Sequence, residues 1–163
     1  MNKQTTALEV AKYIIHLCDE YGELITHLKL QKLLYYVQAH YLARHNMPFF
    51  DDEIEAWKYG PVVRKVWEKY NEKKREPLQE ETSSFLLTGE QKEHIKSVLA
   101  EYLGFSAYEL VECVHHEAPW IEAYNKGDSA IITNDSMGDF YSKKQAEQDE
   151  ILAELELAAA NVE

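Results

Sequence analysis

The stretch Glu55-Ala-Trp-Lys-Tyr-Gly-Pro-Val-Val63 decides how this chain is interpreted, because it places two aromatic side chains and a lysine directly before a glycine-proline break. Proline at position 61 fixes its own φ and disfavours the right-handed helical region for Gly60, so the chain turns here. Apolar residues then recur at helical spacing as far as Tyr70. This pattern predicts a helix whose first residue is Pro61.

Two interpretations of the aromatic residues in this stretch stay open. Trp57 and Tyr59 lie two residues apart, so in an extended segment they share one face. They then belong either to the core or, together with the turn and the helix start, to a compact recognition surface. Because neighbouring residues of a strand point to opposite faces, we expect Trp57 to be buried and Lys58 to be exposed.

The composition limits the classes of partner. A chain of 163 residues with 45% apolar residues is long enough for one domain with its own core. The formal charge of −12 disfavours nucleic acid and anionic membranes and favours a basic protein partner.

Cys18 and Cys113 are far apart in sequence and resemble neither a metal knuckle nor a redox pair. The longest apolar run, from Leu33 to Val37, is too short to cross a bilayer, so we expect a cytoplasmic protein.

The clearest helix in the sequence follows Thr26, which is expected to cap it. One stripe of this helix consists of Leu30, Leu33, Leu34, Val37 and Tyr41, and its first four residues are predicted to anchor the core. Lys29, Lys32 and Gln38 are assigned to other faces. A first helix from about Thr6 to Asp19 precedes it.

The rest of the chain predicts further helices and two short strands. Capping-box spacings at Thr88 and Ser106 indicate two helix starts. The remaining predicted elements are strands near Ile54–Trp57 and Ile131–Thr133, a surface loop at Asn71–Ser84, a small helix capped by Asn134 or Asp135 and ending near Phe140, and a solvated helix over Lys143–Ala160. The fold class is therefore mainly α, a single compact helical domain over residues 1–141 with a short two-stranded β element made by these two strands, followed by an acidic helical tail over residues 142–163.

Few residues suggest catalysis or metal binding. His115-His116-Glu117 has suitable side chains, but adjacent residues of a helix point about 100° apart, so we expect structural or capping roles, with an enzyme centred on these three residues as the minority alternative. We expect no metal and no cofactor, since ligand-spacing and phosphate-loop motifs are absent. The basic residues of Arg64–Glu76 alternate with glutamates, which is typical of a solvated helix. A helix-turn-helix over residues 6–45 is a further alternative, disfavoured by the acidic charge.

Three separated motifs resemble one known family in order and spacing. They are Leu28-Lys-Leu-Gln-Lys-Leu-Leu-Tyr-Tyr36, Ala56-Trp-Lys-Tyr-Gly-Pro-Val-Val63, and His115 with Pro119-Trp120. The sequence is similar in these respects to the Panacea domain, the antitoxin SocA-like family of bacteria and phages. The resemblance extends from about Leu8 to Tyr141. The family commonly has threonine before the histidine of the third motif, and Val114 stands there in this chain.

The resemblance implies a mainly helical, non-catalytic domain that neutralises a cognate toxin by direct binding. It also implies an alternative, a proteolytic adaptor that delivers a bound partner to a ClpXP-type protease. Binding energy concentrates in aromatic and basic anchors, which places the expected contact around the glycine-proline motif. The predicted partner-binding residues are Tyr35, Tyr36, Trp57, Lys58, Tyr59, Gly60, Pro61, His115 and Trp120.

Overall fold

The computed structural model describes residues 4–82 and 84–162, and within these ranges the chain is mainly α-helical with one small sheet. The elements in chain order are α1 (Ala7–Glu20), α2 (His27–His45), β1 (Ile54–Trp57), β2 (Gly60–Val62), α3 (Arg64–Tyr70), a 3-10 turn (Asn71–Lys73), α4 (Gly89–Tyr102), α5 (Ala107–His115), α6 (Ala118–Lys126), β3 (Ala130–Ile132) and α7 (Asn134–Ala160). The predicted fold class is confirmed. Apart from the 3-10 turn, the predicted surface loop is irregular, and its Ser83 lies outside the described residues.

Helix α2 is the centre of the molecule. It packs against α1, α3, α4, α5, α7 and β2, so neighbours surround it. Leu30, Leu33, Leu34 and Val37 are completely buried, which confirms the predicted core stripe. Lys32 and Gln38, which lie on other faces of the helix, are buried as well. A helix enclosed on all sides has no solvated face, and its polar residues must find partners inside the protein.

Two glutamines of α2 satisfy this demand by binding the backbone of neighbouring segments. The Gln38 amide oxygen accepts hydrogen bonds from the N–H groups of Phe49 (2.8 Å) and Phe50 (3.1 Å), and its Nε2 donates to the Phe50 carbonyl (2.8 Å). Gln31 does the same at Val63, accepting from its N–H (2.8 Å) and donating to its carbonyl (3.3 Å). Each side chain thus fixes an irregular segment to the central helix.

The sheet has three antiparallel strands in the order β2-β1-β3. The predicted pairing of the two strands is confirmed, with Ile54 opposite Ile132. The prediction that Pro61 starts a helix is wrong: Pro61 lies in β2 opposite Ala56, and α3 begins at Arg64. An edge strand tolerates proline, and its restricted φ suits both a helix start and an extended segment. The sequence pattern around Pro61 therefore did not reveal strand β2.

The predicted helix starts at Thr6, Thr88 and Ser106 are confirmed, and each side chain accepts a hydrogen bond from the third residue beyond it. The C-terminal segment differs from the prediction. Thr133, and not Asn134 or Asp135, caps a single continuous helix α7.

The last buried residue of α7 is Tyr141, so the helix continues well past the point where burial ends. Every residue from 146 to 160 is exposed, and we call this part of α7 the overhang. Among the helices of residues 4–82 and 84–162, none has the length and the apolar content needed to cross a membrane.

Candidate functional site

The Trp-Lys-Tyr-Gly-Pro motif forms a β-hairpin whose two-residue turn consists of Lys58 and Tyr59. Both turn residues are exposed, and the Tyr59 side chain is 60% accessible. The Lys58 ammonium lies 5.5 Å from the centroid of the Tyr59 ring, within the range of a cation–π contact. The turn closes at Gly60, whose φ of +112° is rarely adopted by residues with a side chain. The hairpin therefore presents one cation and one aromatic ring to solvent.

Lys32 of α2 supports the hairpin from the interior. Its side chain is completely buried, and its ammonium donates a hydrogen bond of 3.2 Å to the Pro61 carbonyl. A Cβ atom at position 60 would lie 2.5 Å from the Lys32 Cε, so glycine is the residue that leaves room for this lysine. Burial lowers the pKa of Lys32 to about 7, because the charged form loses its hydration. The sequence gives no sign of this contact.

Two aromatic side chains support the hairpin from the junction of α5 and α6. The Trp120 indole N–H donates to the Trp57 carbonyl at 2.8 Å. The Nε2 atom of His115 lies 3.0 Å from the Lys58 carbonyl, and since a carbonyl only accepts, Nε2 carries the proton in this bond. The two rings stack on each other with centroids 4.2 Å apart. The carbonyls of three hairpin residues are thus each held by a side chain distant in sequence.

The outward face of the hairpin carries Trp57, which is half-buried. The prediction that Trp57 is buried is wrong, because β1 directs Ile54 and Ala56 into the core and the alternate residues outward. The exposure of Lys58 is confirmed. The guanidinium of Arg64 lies 5.3 Å from the Trp57 ring centroid and forms two hydrogen bonds, of 2.7 and 2.9 Å, with the Glu55 carboxylate.

Tyr35 and Tyr36 do not belong to this surface. Both rings are completely buried, so neither offers atoms to a partner. Their hydroxyl groups donate to the Glu117 carboxylate at 3.0 and 3.3 Å, and Tyr141 donates to it at 2.7 Å. Tyr36 also stacks on Tyr102 with ring centroids 3.9 Å apart. Burial raises the pKa of the Glu117 carboxyl, while the three tyrosine hydrogen bonds act in the opposite direction.

The three candidates for acid–base chemistry point to three different places. His115 binds the hairpin carbonyl, and Glu117 faces the buried tyrosines. His116 places its Nδ1 atom 2.7 Å from the Glu112 carbonyl of the preceding helical turn. Among the residues that the structure describes, no group of three histidine, cysteine, aspartate or glutamate side chains is arranged to hold a metal ion. The arrangement stabilises the hairpin and the α5–α6 junction.

These contacts define a class of protein: a small helical domain that presents an exposed hairpin on a supported backbone. A family model described as antitoxin SocA-like, Panacea domain, matches residues 30–121, which is more than half of the chain. The chain belongs to this family. No curated protein and no solved structure matches the chain.

The three motifs that carry the resemblance meet in one place. Lys32 comes from the first motif, the hairpin is the second, and His115 with Trp120 are the third. All nine predicted contact residues lie within the matched range. The residues that the sequence analysis missed are Gln31, Lys32 and Glu117, whose partners are distant in sequence.

Proposed function

We propose that this protein is an antitoxin that neutralises a cognate toxin by direct, non-catalytic contact, and that the hairpin tip is the centre of the contact. Membership of the antitoxin SocA-like family supports a toxin partner in general terms. The observation that carries the location is the combination of exposed Lys58 and Tyr59 side chains with a backbone held by Lys32, His115 and Trp120.

Such a combination suits tight binding for a physical reason. A segment that is already ordered loses little conformational entropy on association, so more of the contact energy appears as affinity. Tyrosine, tryptophan and arginine dominate the residues whose truncation costs most at interfaces. The hairpin offers the exposed Tyr59, with the half-buried Trp57 and the exposed Arg64 beside it.

The test compares two exposed tyrosines in cells that express the neighbouring reading frame as the candidate toxin. Tyr59 is 60% exposed on the hairpin, and Tyr108 is 71% exposed on α5. We expect Tyr59→Ala and Lys58→Ala to abolish rescue of growth, whereas Tyr108→Ala retains it. Because all three side chains are exposed, each variant is expected to keep its Tm within about 2 °C of wild type.

Two results would contradict this proposal. If rescue declines only in proportion to lost folded protein, the hairpin is scaffold and the toxin contact lies elsewhere. If the neighbouring product is harmless when expressed alone, the chain does not act as an antitoxin for that product.

A second candidate function is a proteolytic adaptor that delivers its bound partner to a ClpXP-type protease. The overhang favours this alternative, since it adds an exposed segment to the folded body. It agrees with the proposed division into a domain over residues 1–141 and a tail over residues 142–163. Toxin that disappears only when both this chain and the protease are present supports the adaptor. Toxin that persists in an inactive complex supports direct neutralisation.

A further inference from the structure

The overhang exposes large apolar side chains that the folded body does not cover. Ile151 and Leu152 are each 56% exposed, Leu155 is 61% exposed and Leu157 is 70% exposed. An isolated helix of this length is marginal in water, and helices in proteins gain most of their stability from packing one apolar face. The overhang therefore carries apolar surface that gains stability when a partner covers it.

Most of this apolar surface forms one stripe. Ile151, Leu155 and Ala158 recur at spacings of four and three residues, and Leu152 and Ala159 lie beside them. Met137 and Tyr141 lie on the same side of α7, nearer its N-terminus, and both are buried against the body. Leu157 lies two residues beyond Leu155, about 200° around the helix, and so points away from the stripe.

A pocket marks the place where the stripe leaves the body. It has a volume of about 230 Å³ and lies between α7 and the ends of α2 and α4. Arg44 and Tyr102 line it on the body, and Gln148 and Leu152 line it on α7. At this pocket the stripe is accessible to solvent even on the side that faces the body.

The charge of the overhang identifies the chemistry of its partner. The overhang, residues 146–160, contains five acidic side chains and no basic ones. By their helical positions Glu147 and Glu154 border the stripe on one side, and Asp149 and Glu156 border it on the other. Pairing with the overhang of a second copy brings two strongly acidic helices together, and an anionic membrane repels the helix in the same way.

We propose that the overhang is a docking helix for a basic protein surface, one that is apolar along its middle and rich in lysine or arginine along its edges. The apolar stripe supplies the attraction, and the acidic borders supply selectivity and fast association. This contact is separate from the hairpin and goes beyond the proposed antitoxin contact. It holds whether or not the hairpin binds a toxin.

The probe is a fluorescent peptide of roughly three heptads, with leucine at the a and d positions and lysine at e and g. It is titrated against the full chain, and its anisotropy reports binding. Leu155→Ser is expected to weaken binding by roughly tenfold to a hundredfold, because a leucine leaves the interface. Leu157→Ser removes an equally exposed leucine from the opposite side and is expected to change the affinity less than about twofold.

A charge-matched pair of variants tests the acidic borders. The double variant Glu147→Gln, Glu154→Gln is expected to weaken binding and to reduce its dependence on salt. The control double variant Glu72→Gln, Glu76→Gln makes the same change in net charge at exposed positions outside α7 and is expected to bind as wild type does.

Four results would overturn the proposal. The first is equal loss for Leu155→Ser and Leu157→Ser, and the second is equal affinity for a peptide with glutamate in place of lysine. The third is a dimer of the chain alone that Leu155→Ser dissociates, which makes a second copy the occupant. The fourth is binding to vesicles of anionic lipid that the Leu155→Ser variant loses.

Discussion

The hairpin and the overhang differ in how their shape is maintained. The hairpin is short and closes at a glycine with positive φ, yet side chains from α2, α5 and α6 hold its carbonyl groups. The overhang is a regular helix whose side chains are all exposed. The comparison shows two ways of maintaining a shape: contacts with distant side chains hold the hairpin, whereas the repeating backbone hydrogen bonds of a helix hold the overhang.

The two regions also differ in surface chemistry. The hairpin region presents Lys58, Tyr59 and Arg64, whereas the overhang presents aliphatic side chains between acidic ones. They therefore suit different partners, or different parts of one partner. A change in one region is therefore expected to leave the other unaffected.

The largest effect is expected at the glycine of the hairpin. Gly60→Ala forces a Cβ to 2.5 Å from the Lys32 Cε at a φ of +112°. The strained backbone and the crowding together should lower the free energy of unfolding by about 2 to 5 kcal/mol. Gly138→Ala in α7 is the control, because its Cβ meets nothing closer than 3.6 Å, and we expect a gain of about 0.5 to 1 kcal/mol. Urea unfolding measures both, and equal effects would contradict the tight approach at Gly60.

The next effect concerns the pH dependence of stability through Lys32. Its pKa is about 7 in the folded protein, against 10.5 for an unperturbed lysine, so above pH 7 the unfolded state binds the additional proton. The wild-type stability should therefore rise with pH from 7 towards 10.5, by at most about 1.4 kcal/mol per pH unit.

Lys32→Met removes this titration while keeping a similar side-chain length. The difference between wild type and variant, measured by urea unfolding at pH 7 and at about pH 9, should shift in favour of wild type at the higher pH. A difference that does not change with pH means that the buried ammonium stays charged.

A smaller effect is expected at the support from α6. Trp120→Phe keeps an aromatic ring but removes the N–H that donates to the Trp57 carbonyl. The loss of this hydrogen bond should cost about 1 kcal/mol of stability and loosen the hairpin. Trp67→Phe, which leaves this bond in place, is the control. Hydrogen exchange of the hairpin amides should accelerate in the Trp120 variant alone.

The smallest effect is expected for removal of the overhang. Deleting residues 146–163 should change the free energy of unfolding of the body by less than about 0.5 kcal/mol, since residues 146–162 are exposed. The helical signal in circular dichroism should fall with the lost residues. A drop of several degrees in Tm would show that the overhang packs on the body.

The sequence predicted those parts of the fold that depend on local patterns. The apolar stripe of α2 and the capping boxes at Thr88 and Ser106 were found because their periodicity and spacing are local. Pro61 misled the prediction, since the same φ suits a helix start and an edge strand. The burial of Lys32 was not predicted, because a lysine is rarely buried and its acceptor at Pro61 is 29 residues away.

In the candidate site, too, local features were predicted from the sequence and long-range contacts were not. The exposed position of Lys58 followed from its place in the motif, but the support of the hairpin did not. The tyrosine partners of Glu117 lie 24, 81 and 82 residues away, so its neighbours in sequence gave no indication of its burial. The resemblance grouped the three motifs, and the contacts supply the physical reason for the grouping.

The hydrogen bonds that support the hairpin have one further property: they end on main-chain atoms. Gln31, Lys32, His115 and Trp120 bind the carbonyl or N–H groups of residues 57, 58, 61 and 63. Every amino acid supplies a carbonyl, so these supports place little restriction on which side chains the outward hairpin positions carry. The hairpin side chains can therefore diverge during evolution while the loop keeps its shape, and a new partner can be accommodated without redesign of the core.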